Sequence, residues 1–172
     1  EETGRADNTI VVVTADHGEM LFSHNRMQKR IFYEESLRVP FLVRWPGVIR
    51  GNTLSDACIN TPDIMPTLLD LMCITVPSSV EGRSRLPDIS TPTSGDFAFL
   101  QGMSESSFFA DEEWRGIRNA HYHYVRTRKP RQEFLFDLDV DPLQTHNHAK
   151  RPECQEMLGM MRAKLDEKLM EH

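Results

Sequence analysis

The stretch TADHGEM at residues 14–20 places a carboxylate and an imidazole side by side, in Asp16 and His17. Asp offers a hard anionic oxygen and neutral His offers a nitrogen, and both atoms are ordinary ligands of divalent metals. Gly18 follows directly, and a residue without a Cβ permits the sharp exit that leaves room for an ion. We therefore predict that Asp16 and His17 bind one divalent metal. Two ligands are too few for a closed site, so the others must come from elsewhere.

The same residues also admit a purely structural interpretation. Asp at the end of a strand commonly caps the turn that follows, and a histidine beside it often simply faces solvent. Because D-H-G is a short motif, residue types alone leave the two interpretations equally open. The elements around the motif have to decide between them.

The segment before Asp16 is typical of a buried strand. Residues 9–15 read TIVVVTA, a short apolar and β-branched run without polar alternation. Such runs are typical of strands that are buried on both faces in a parallel sheet. At the carboxyl end of such a central strand, Asp16 and His17 would lie where open α/β sheets bind their ligands.

Further strands and a helix follow in alternation. Residues 39–45 (VPFLVRW) and 97–102 (FAFLQG) are predicted strands. Between them, TPDIMPTLLDL at residues 61–71 has the N-terminal signals and the apolar spacing of a helix. This alternation indicates an α/β fold, in which residues 1–105 form part of a mostly parallel sheet with flanking helices.

The pattern changes after about residue 105. Residues 114–126 and 133–138 alternate apolar and polar side chains, as antiparallel strands with one wet face do. Residues 152–171 carry an apolar stripe at helical spacing. We predict that residues 106–172 form a subdomain in which a small antiparallel sheet packs with a C-terminal helix.

Composition argues against two classes of partner. The net charge is −6 and the pI is near 5.6, whereas proteins that bind nucleic acid usually carry a basic face. The apolar runs are far too short to span a bilayer, and the first residues have no hydrophobic targeting segment. The three cysteines are widely spaced and indicate neither a disulfide framework nor a zinc knuckle. We expect no nucleic-acid partner and no membrane span.

Longer motifs around Asp16 and His17 resemble the sulfatase family of the alkaline phosphatase superfamily. The resemblance is carried by TADHGEML, then Lys29, then FYEESLRVPFLVRWPG, and it continues through TPDIMPTLLDL. It returns at RGIRNAHYHYVRT and LFDLDVDPLQTHNHA, which are similar to the R-x-x-R, Y-K-Y and L-Y-D-L-x-x-D-P elements that end such enzymes. The resemblance covers roughly the whole chain, and residues 76–112 are its least diagnostic part.

The resemblance implies roles for four residues. Asp16 and His17 match the family's later pair of divalent-metal ligands, usually for calcium, while magnesium, manganese and zinc stay open. Lys29 matches the lysine that contacts the sulfate, and a cation suits the charged sulfuryl oxygens. Without the motif, Lys29 would be interpreted as a solvated loop lysine. His24, in the same loop, is a candidate to bind sulfate or to protonate the leaving oxygen.

The loop around His24 departs from the family pattern. Relatives often have glycines around the positions of Phe22 and Asn25. Asn tolerates a positive φ, but Phe adopts one only rarely. The loop is therefore predicted to follow a different path here.

Other polar residues are given plainer interpretations. Glu34 and Glu35 could act as an acid and base pair, but before SLRVP they are expected to cap a turn and to pair with Arg38. Four later histidines are expected at solvent-facing polar positions: His121, His123, His146 and His148.

The covalent nucleophile of such enzymes is missing from the chain. Sulfatases use the hydrated aldehyde of a formylglycine, made from Cys or Ser in C-x-P-x-R or S-x-P-x-R, near an early Asp-Asp metal pair. Neither motif occurs in this sequence, and there is no Asp-Asp dipeptide. We interpret the chain as a C-terminal fragment whose partner, a missing N-terminal half, carries the formylglycine. The fragment alone is expected to be inactive.

Three functional hypotheses follow. In the first, the full-length parent is a sulfuric ester hydrolase that acts on a sulfated small molecule or glycan. In the second, it is a phosphodiesterase or phosphonate monoester hydrolase of the same superfamily, which the missing nucleophile would distinguish. In the third, the chain is a free-standing, non-catalytic α/β binding module. The resemblance also fits a periplasmic or secreted protein, although the sequence shows no targeting segment.

Overall fold

The computed structural model describes residues 3–90, 96–102 and 113–171. The chain divides into two compact units, Glu1–Leu54 and Ser55–His172. The first unit contains the loop with all four candidate site residues. The domain boundary predicted near residue 105 falls within the second unit and stays a prediction.

The first unit is built on a two-stranded sheet. Its strands are β1 (Val11–Thr14) and β2 (Phe41–Arg44), and the short helix α1 (Glu34–Leu37) precedes β2. The two strands pair antiparallel along their whole length. The predicted parallel arrangement is therefore not found between these two strands. Parallel neighbours need a long crossover, usually a helix, whereas the only α-helix between β1 and β2 is the four-residue α1.

The side chains of β1 are more exposed than its apolar sequence predicts. Val11 and Val13 are 44% and 54% exposed. A strand is buried on both faces only where packed layers cover both. The prediction of full burial is therefore wrong for β1 within its own unit.

The second unit contains a four-stranded antiparallel sheet and a long terminal helix. Strands β3 (Ala98–Gly102), β4 (Trp114–Arg118), β5 (Tyr122–Thr127) and β6 (Glu133–Asp137) lie side by side in sequence order. The predicted α/β class, with a small antiparallel sheet and a C-terminal helix, is confirmed. The strand predicted at residues 97–102 was placed in the mostly parallel sheet. That placement is wrong, because this strand, β3, pairs with β4 in the antiparallel sheet.

Two helices precede this sheet, α2 (Thr61–Leu71) and α3 (Leu86–Ser90). The helix predicted at residues 61–71 is confirmed, and its N-cap is Asn60. The Asn60 side chain accepts a hydrogen bond from the Thr61 N–H at 2.9 Å, and Asp63 accepts one from the Asn60 N–H at 3.1 Å. Two of the donors at the helix start are thereby satisfied.

The terminal helix α4 (Gln155–Met170) packs on the antiparallel sheet. The core between them consists chiefly of residues that are at most 1% exposed: Ile117, Tyr124, Leu135, Leu158, Met161 and Leu165. Each fully buried Leu or Met contributes about 1.5–3 kcal/mol of transfer free energy. Among the described residues, no helix combines the length and the apolar character needed to cross a membrane.

A polar network also ties α4 to the sheet. The Tyr124 hydroxyl donates to Oε1 of Glu133 at 2.5 Å, and the Arg162 guanidinium donates to both carboxylate oxygens at 2.6 and 2.5 Å. The Arg162 hydrogen bonds are the main reason that the pKa of Glu133 is lowered to about 2. Burial, reinforced by the Glu133 charge, raises the pKa of Tyr124.

Candidate active site

Asp16 and His17 turn their donor atoms towards one point just after β1. Nε2 of His17 lies 3.3 Å from Oδ2 of Asp16. On the other edge of the ring, Nδ1 lies 2.7 Å from the carbonyl oxygen of Gly18. A carbonyl can only accept, so Nδ1 carries the proton and Nε2 presents its lone pair in the neutral ring. Fixing one nitrogen in this way is how metal-binding histidines are usually oriented.

Gly18 is required at its position by a close approach of the backbone. A Cβ on this residue would overlap the carbonyl oxygen of Glu35. The Gly18 N–H also donates to the carbonyl oxygen of Ser36 at 2.9 Å. The turn that carries Asp16 and His17 is thus packed directly against α1.

The donor set fits a divalent cation. Metal–ligand distances of about 2.0–2.6 Å allow two atoms separated by 3.3 Å to bind one ion. The Asp16 side chain is 86% exposed, so its second oxygen is also accessible. Within the described residues, no group of three or more His, Cys, Asp or Glu side chains could hold a metal. A metal held by this pair would therefore need further ligands.

The loop that follows has an unusual backbone. Six non-glycine residues of this loop adopt a positive φ between 43° and 83°: Leu21, Phe22, His24, Asn25, Gln28 and Arg30. Each such conformation costs about 1–2 kcal/mol for an ordinary residue. Phe22 adopts a φ of 71° although its side chain disfavours this region. Strained backbone of this kind is concentrated at functional sites.

The base of this loop is closed by backbone contacts. The Met20 N–H donates to the carbonyl oxygen of Gln28 at 2.9 Å. The Gln28 N–H donates in turn to Oε1 of Glu19 at 2.5 Å. Because Met20 is buried, the loop is anchored at the end nearer to Asp16 and His17.

His24 is held within this loop by a stacked ring. Its imidazole lies flat on the Tyr33 ring, with 3.6 Å between the ring centroids and an interplanar angle of 5°. The His24 side chain is 15% exposed, and its Nε2 lies 3.8 Å from Oε1 of Glu35. Burial raises the pKa of Tyr33, while the Arg26 charge acts in the opposite direction.

From the sequence, Glu35 could act as an acid or base, but it is assigned with Glu34 to a turn cap and to pairing with Arg38. Its neighbour Glu34 lies 4.0 Å from Arg38, as expected. Glu35 instead accepts a short hydrogen bond from the Ser23 hydroxyl and faces His24. Its contacts lie 11 and 12 residues away along the chain, and no local motif signals a contact of that range.

Lys29 lies exposed in the same loop. Its ammonium group forms no hydrogen bond or ion pair with residues 3–90, 96–102 or 113–171. The structure therefore brings Asp16 and His17 together, adds Glu35 beside His24, and leaves Lys29 facing solvent.

The later histidines divide into two groups. His121 and His146 are exposed, as predicted, and each lies beside an Asp. His123 is fully buried, so its predicted solvent position is wrong. Its Nδ1 lies 2.8 Å from the Gln144 amide, which provides a polar partner inside the core. His148 is half-buried.

Comparison with known proteins adds an independent result. The model of the family described as "N-sulphoglucosamine sulphohydrolase, C-terminal" matches residues 22–171. An ulvan-active sulfatase from Formosa agariphila is 36% identical over 174 residues, which cover 98% of this chain and 34% of that protein. The chain thus spans about a third of the length of this relative.

Solved structures give the same picture. The structure of an enzyme in complex with its substrate D-glucosamine-2-N,6-O-disulfate matches with a TM-score of 0.88 and 27% identity, over 97% of this chain and 35% of that one. A phosphonate monoester hydrolase from Silicibacter pomeroyi matches with a TM-score of 0.78 and 26% identity, over 99% of this chain and 36% of that one.

Proposed function

Because the chain belongs to the sulfatase family, whose C-terminal domain it matches, we propose that it is part of an enzyme that hydrolyses sulfate esters. The observation that carries this proposal is the Asp16–His17 pair, with Oδ2 and Nε2 3.3 Å apart just after β1. A metal-dependent hydrolase needs such donors to hold a metal beside its substrate. A binding module has no comparable need for a tautomer fixed by its own backbone.

In this proposal Asp16 and His17 hold a divalent metal, which we expect to be calcium. Magnesium, manganese and zinc accept the same donors. When bound, the metal would stabilise the negative charge of the sulfate oxygens. The remaining ligands and the formylglycine nucleophile belong to an upstream half of the same protein.

Lys29 and His24 act on different groups of the sulfate ester, Lys29 on the sulfate and His24 on the leaving group. The Lys29 ammonium binds the sulfate group, because a charge-assisted hydrogen bond to an anionic oxygen is a strong one. His24 gives a proton to the oxygen of the leaving group, which would otherwise depart as an anion. The strained backbone of their shared loop supports a functional role for both residues.

A sulfated glycan is the substrate class that we propose. One relative is named for its activity on ulvan, and one structural neighbour holds a glucosamine disulfate. A sulfated small molecule is the alternative within the same chemistry.

Hydrolysis of a phosphonate or phosphate ester is the second candidate. The likeness to a phosphonate monoester hydrolase favours it, and an Asp–His metal pair suits phosphorus as well as sulfur. The two candidates can be separated by the nucleophile and by the preferred ester. A non-catalytic binding module is the third candidate, and it predicts no turnover at all.

The test begins with the reading frame upstream of Glu1, in which C-x-P-x-R or S-x-P-x-R is expected. The full-length protein is then assayed with nitrophenyl sulfate and with the matching phosphonate monoester. We expect faster hydrolysis of the sulfate ester, which is abolished by a chelator and restored by calcium.

Asp16→Asn should lower kcat/KM by about 100-fold, because the metal loses an anionic ligand. The matched control is Asp56→Asn, which changes an exposed carboxylate in the second unit and should leave activity intact. A preference for the phosphonate would favour the second candidate. Full activity of Asp16→Asn would remove the metal site from the proposal.

A further inference from the structure

The carboxylate of Glu35 lies between two side chains of the loop. Its Oε1 accepts a short hydrogen bond from the Ser23 hydroxyl and lies 3.8 Å from Nε2 of His24. Its Oε2 is buried and has no hydrogen-bond partner among the described residues. A buried polar atom without a partner costs about 1–3 kcal/mol. A buried carboxylate oxygen that tolerates this cost is often kept for a functional role.

The backbone of Glu35 also contacts the turn that carries the proposed metal ligands. Its carbonyl oxygen occupies the space that a Cβ at Gly18 would need. The next carbonyl, that of Ser36, accepts the Gly18 N–H at 2.9 Å. Helix α1 thus contacts the Asp16–His17 turn through its backbone and His24 through one side chain.

Two contacts from different directions hold the His24 ring. Tyr33 covers one face of the ring at 3.6 Å and 5°, which fixes the plane of the imidazole. Stacking alone leaves the ring free to turn within that plane. The Glu35 carboxylate lies at the ring edge, 3.8 Å from Nε2. Its charge favours the orientation in which a ring N–H, and not a bare lone pair, faces it.

We propose that Glu35 is a positioning residue for His24. Its carboxylate holds the Nε2–H inward. Nδ1 of the imidazolium form then gives its proton to the leaving oxygen, and the neutral ring that results keeps its proton on Nε2. The inference rests on the proposed function, because it assigns His24 a part in that reaction. The arrangement resembles other catalytic histidines, which an acidic residue orients from behind the reacting nitrogen.

The kinetic test uses Glu35→Gln in the full-length protein. Gln keeps the size of the side chain and an acceptor for Ser23, but it removes the charge that faces His24. We expect kcat to fall about tenfold while KM and calcium affinity stay unchanged, since only the proton donor loses its orientation. The matched control is Glu81→Gln, which changes an exposed carboxylate of the second unit and should change kcat by less than about twofold.

A second measurement does not depend on turnover. The full-length protein is labelled with nitrogen-15 in its histidines, and the His24 ring signals are identified by their loss in His24→Gln. In the wild type and in Glu81→Gln, the ring N–H should be found on Nε2, which faces the Glu35 carboxylate. In Glu35→Ala this preference for Nε2 should be lost.

The outcomes separate the two proposals. If the wild type hydrolyses no sulfate ester, the proposed function fails, whatever the ring signal shows. If Glu35→Ala keeps the ring N–H of His24 on Nε2, the positioning role is wrong. If Glu35→Gln loses calcium affinity as strongly as kcat, Glu35 supports the fold of the turn and the positioning role is wrong as well.

Discussion

Gly18 shows how closely the proposed metal ligands are packed against the residues behind them. Replacing it with Ala would force a methyl group into the Glu35 carbonyl oxygen. Because the atoms in the way are backbone atoms of Glu35 and Ser36, we expect Gly18→Ala to lower the free energy of unfolding by about 1–3 kcal/mol. Urea unfolding with and without calcium measures this loss.

The matched control for Gly18→Ala is Gly159→Ala in α4. A Cβ at Gly159 would meet nothing within 4 Å. Ala in a helix is favoured over Gly by about 1 kcal/mol, so this variant should gain stability. Equal effects of the two substitutions would contradict the packing argument.

Contacts of single residues were predictable where neighbours along the chain lie together, and the metal-binding role of Asp16 and His17 stays a prediction. Asp16 and His17 are adjacent, so their approach within 3.3 Å follows from one short motif. The contact of Glu35 with His24 depends on how a loop of strained residues folds back, which local sequence does not specify. His123 was misjudged for a related reason, because alternation assigns it to a face of β5 and does not reveal what covers that face.

At the scale of elements, the Glu133 carboxylate joins β6 to α4 through Arg162. A carboxyl whose folded-state pKa is lowered from 4.5 to about 2 adds stability above its unfolded pKa. That stability is lost as the pH falls from 4.5 towards 2. The wild type should therefore lose more free energy of unfolding in this range than Glu133→Gln does.

The size of this effect is set by the partial exposure of the pair. At neutral pH, we expect Glu133→Gln to be less stable by about 1 kcal/mol, which is below the roughly 1.5–3 kcal/mol of a hydrogen bond to a charged group because the pair is partly exposed. Urea midpoints at neutral pH and at about pH 3 check both statements. Glu81→Gln, which changes an exposed carboxylate, is the control. An equally steep acid response in Glu133→Gln would contradict the assignment.

Elements were predictable to the extent that their signal is local. The apolar stripe of α4 and the alternation in β4 to β6 each lie within one segment, and both elements are present. The pairing of β1 is not a local property, since its apolar run fits several neighbours. The path of the connecting chain decides that β1 pairs with β2. It also decides that β3 pairs with β4 in the four-stranded sheet.

At the scale of the whole molecule, the 172 residues contain two of the proposed metal ligands and no covalent nucleophile motif. We expect this chain alone to show no hydrolysis of nitrophenyl sulfate, and to bind calcium far more weakly than the full-length protein. Calcium titration by calorimetry on both proteins measures the difference. Turnover by the 172-residue chain would contradict the proposed division of the site.

The left-handed residues between Leu21 and Arg30 also bear on the order of folding. Leu, Phe and Arg do not choose such conformations locally, so the loop acquires its shape only after its neighbours have docked. Contacts that form after the folding transition state affect the unfolding rate and hardly affect the folding rate. The proposed site would then be the last structure that the chain gains on folding and the first that it loses on heating.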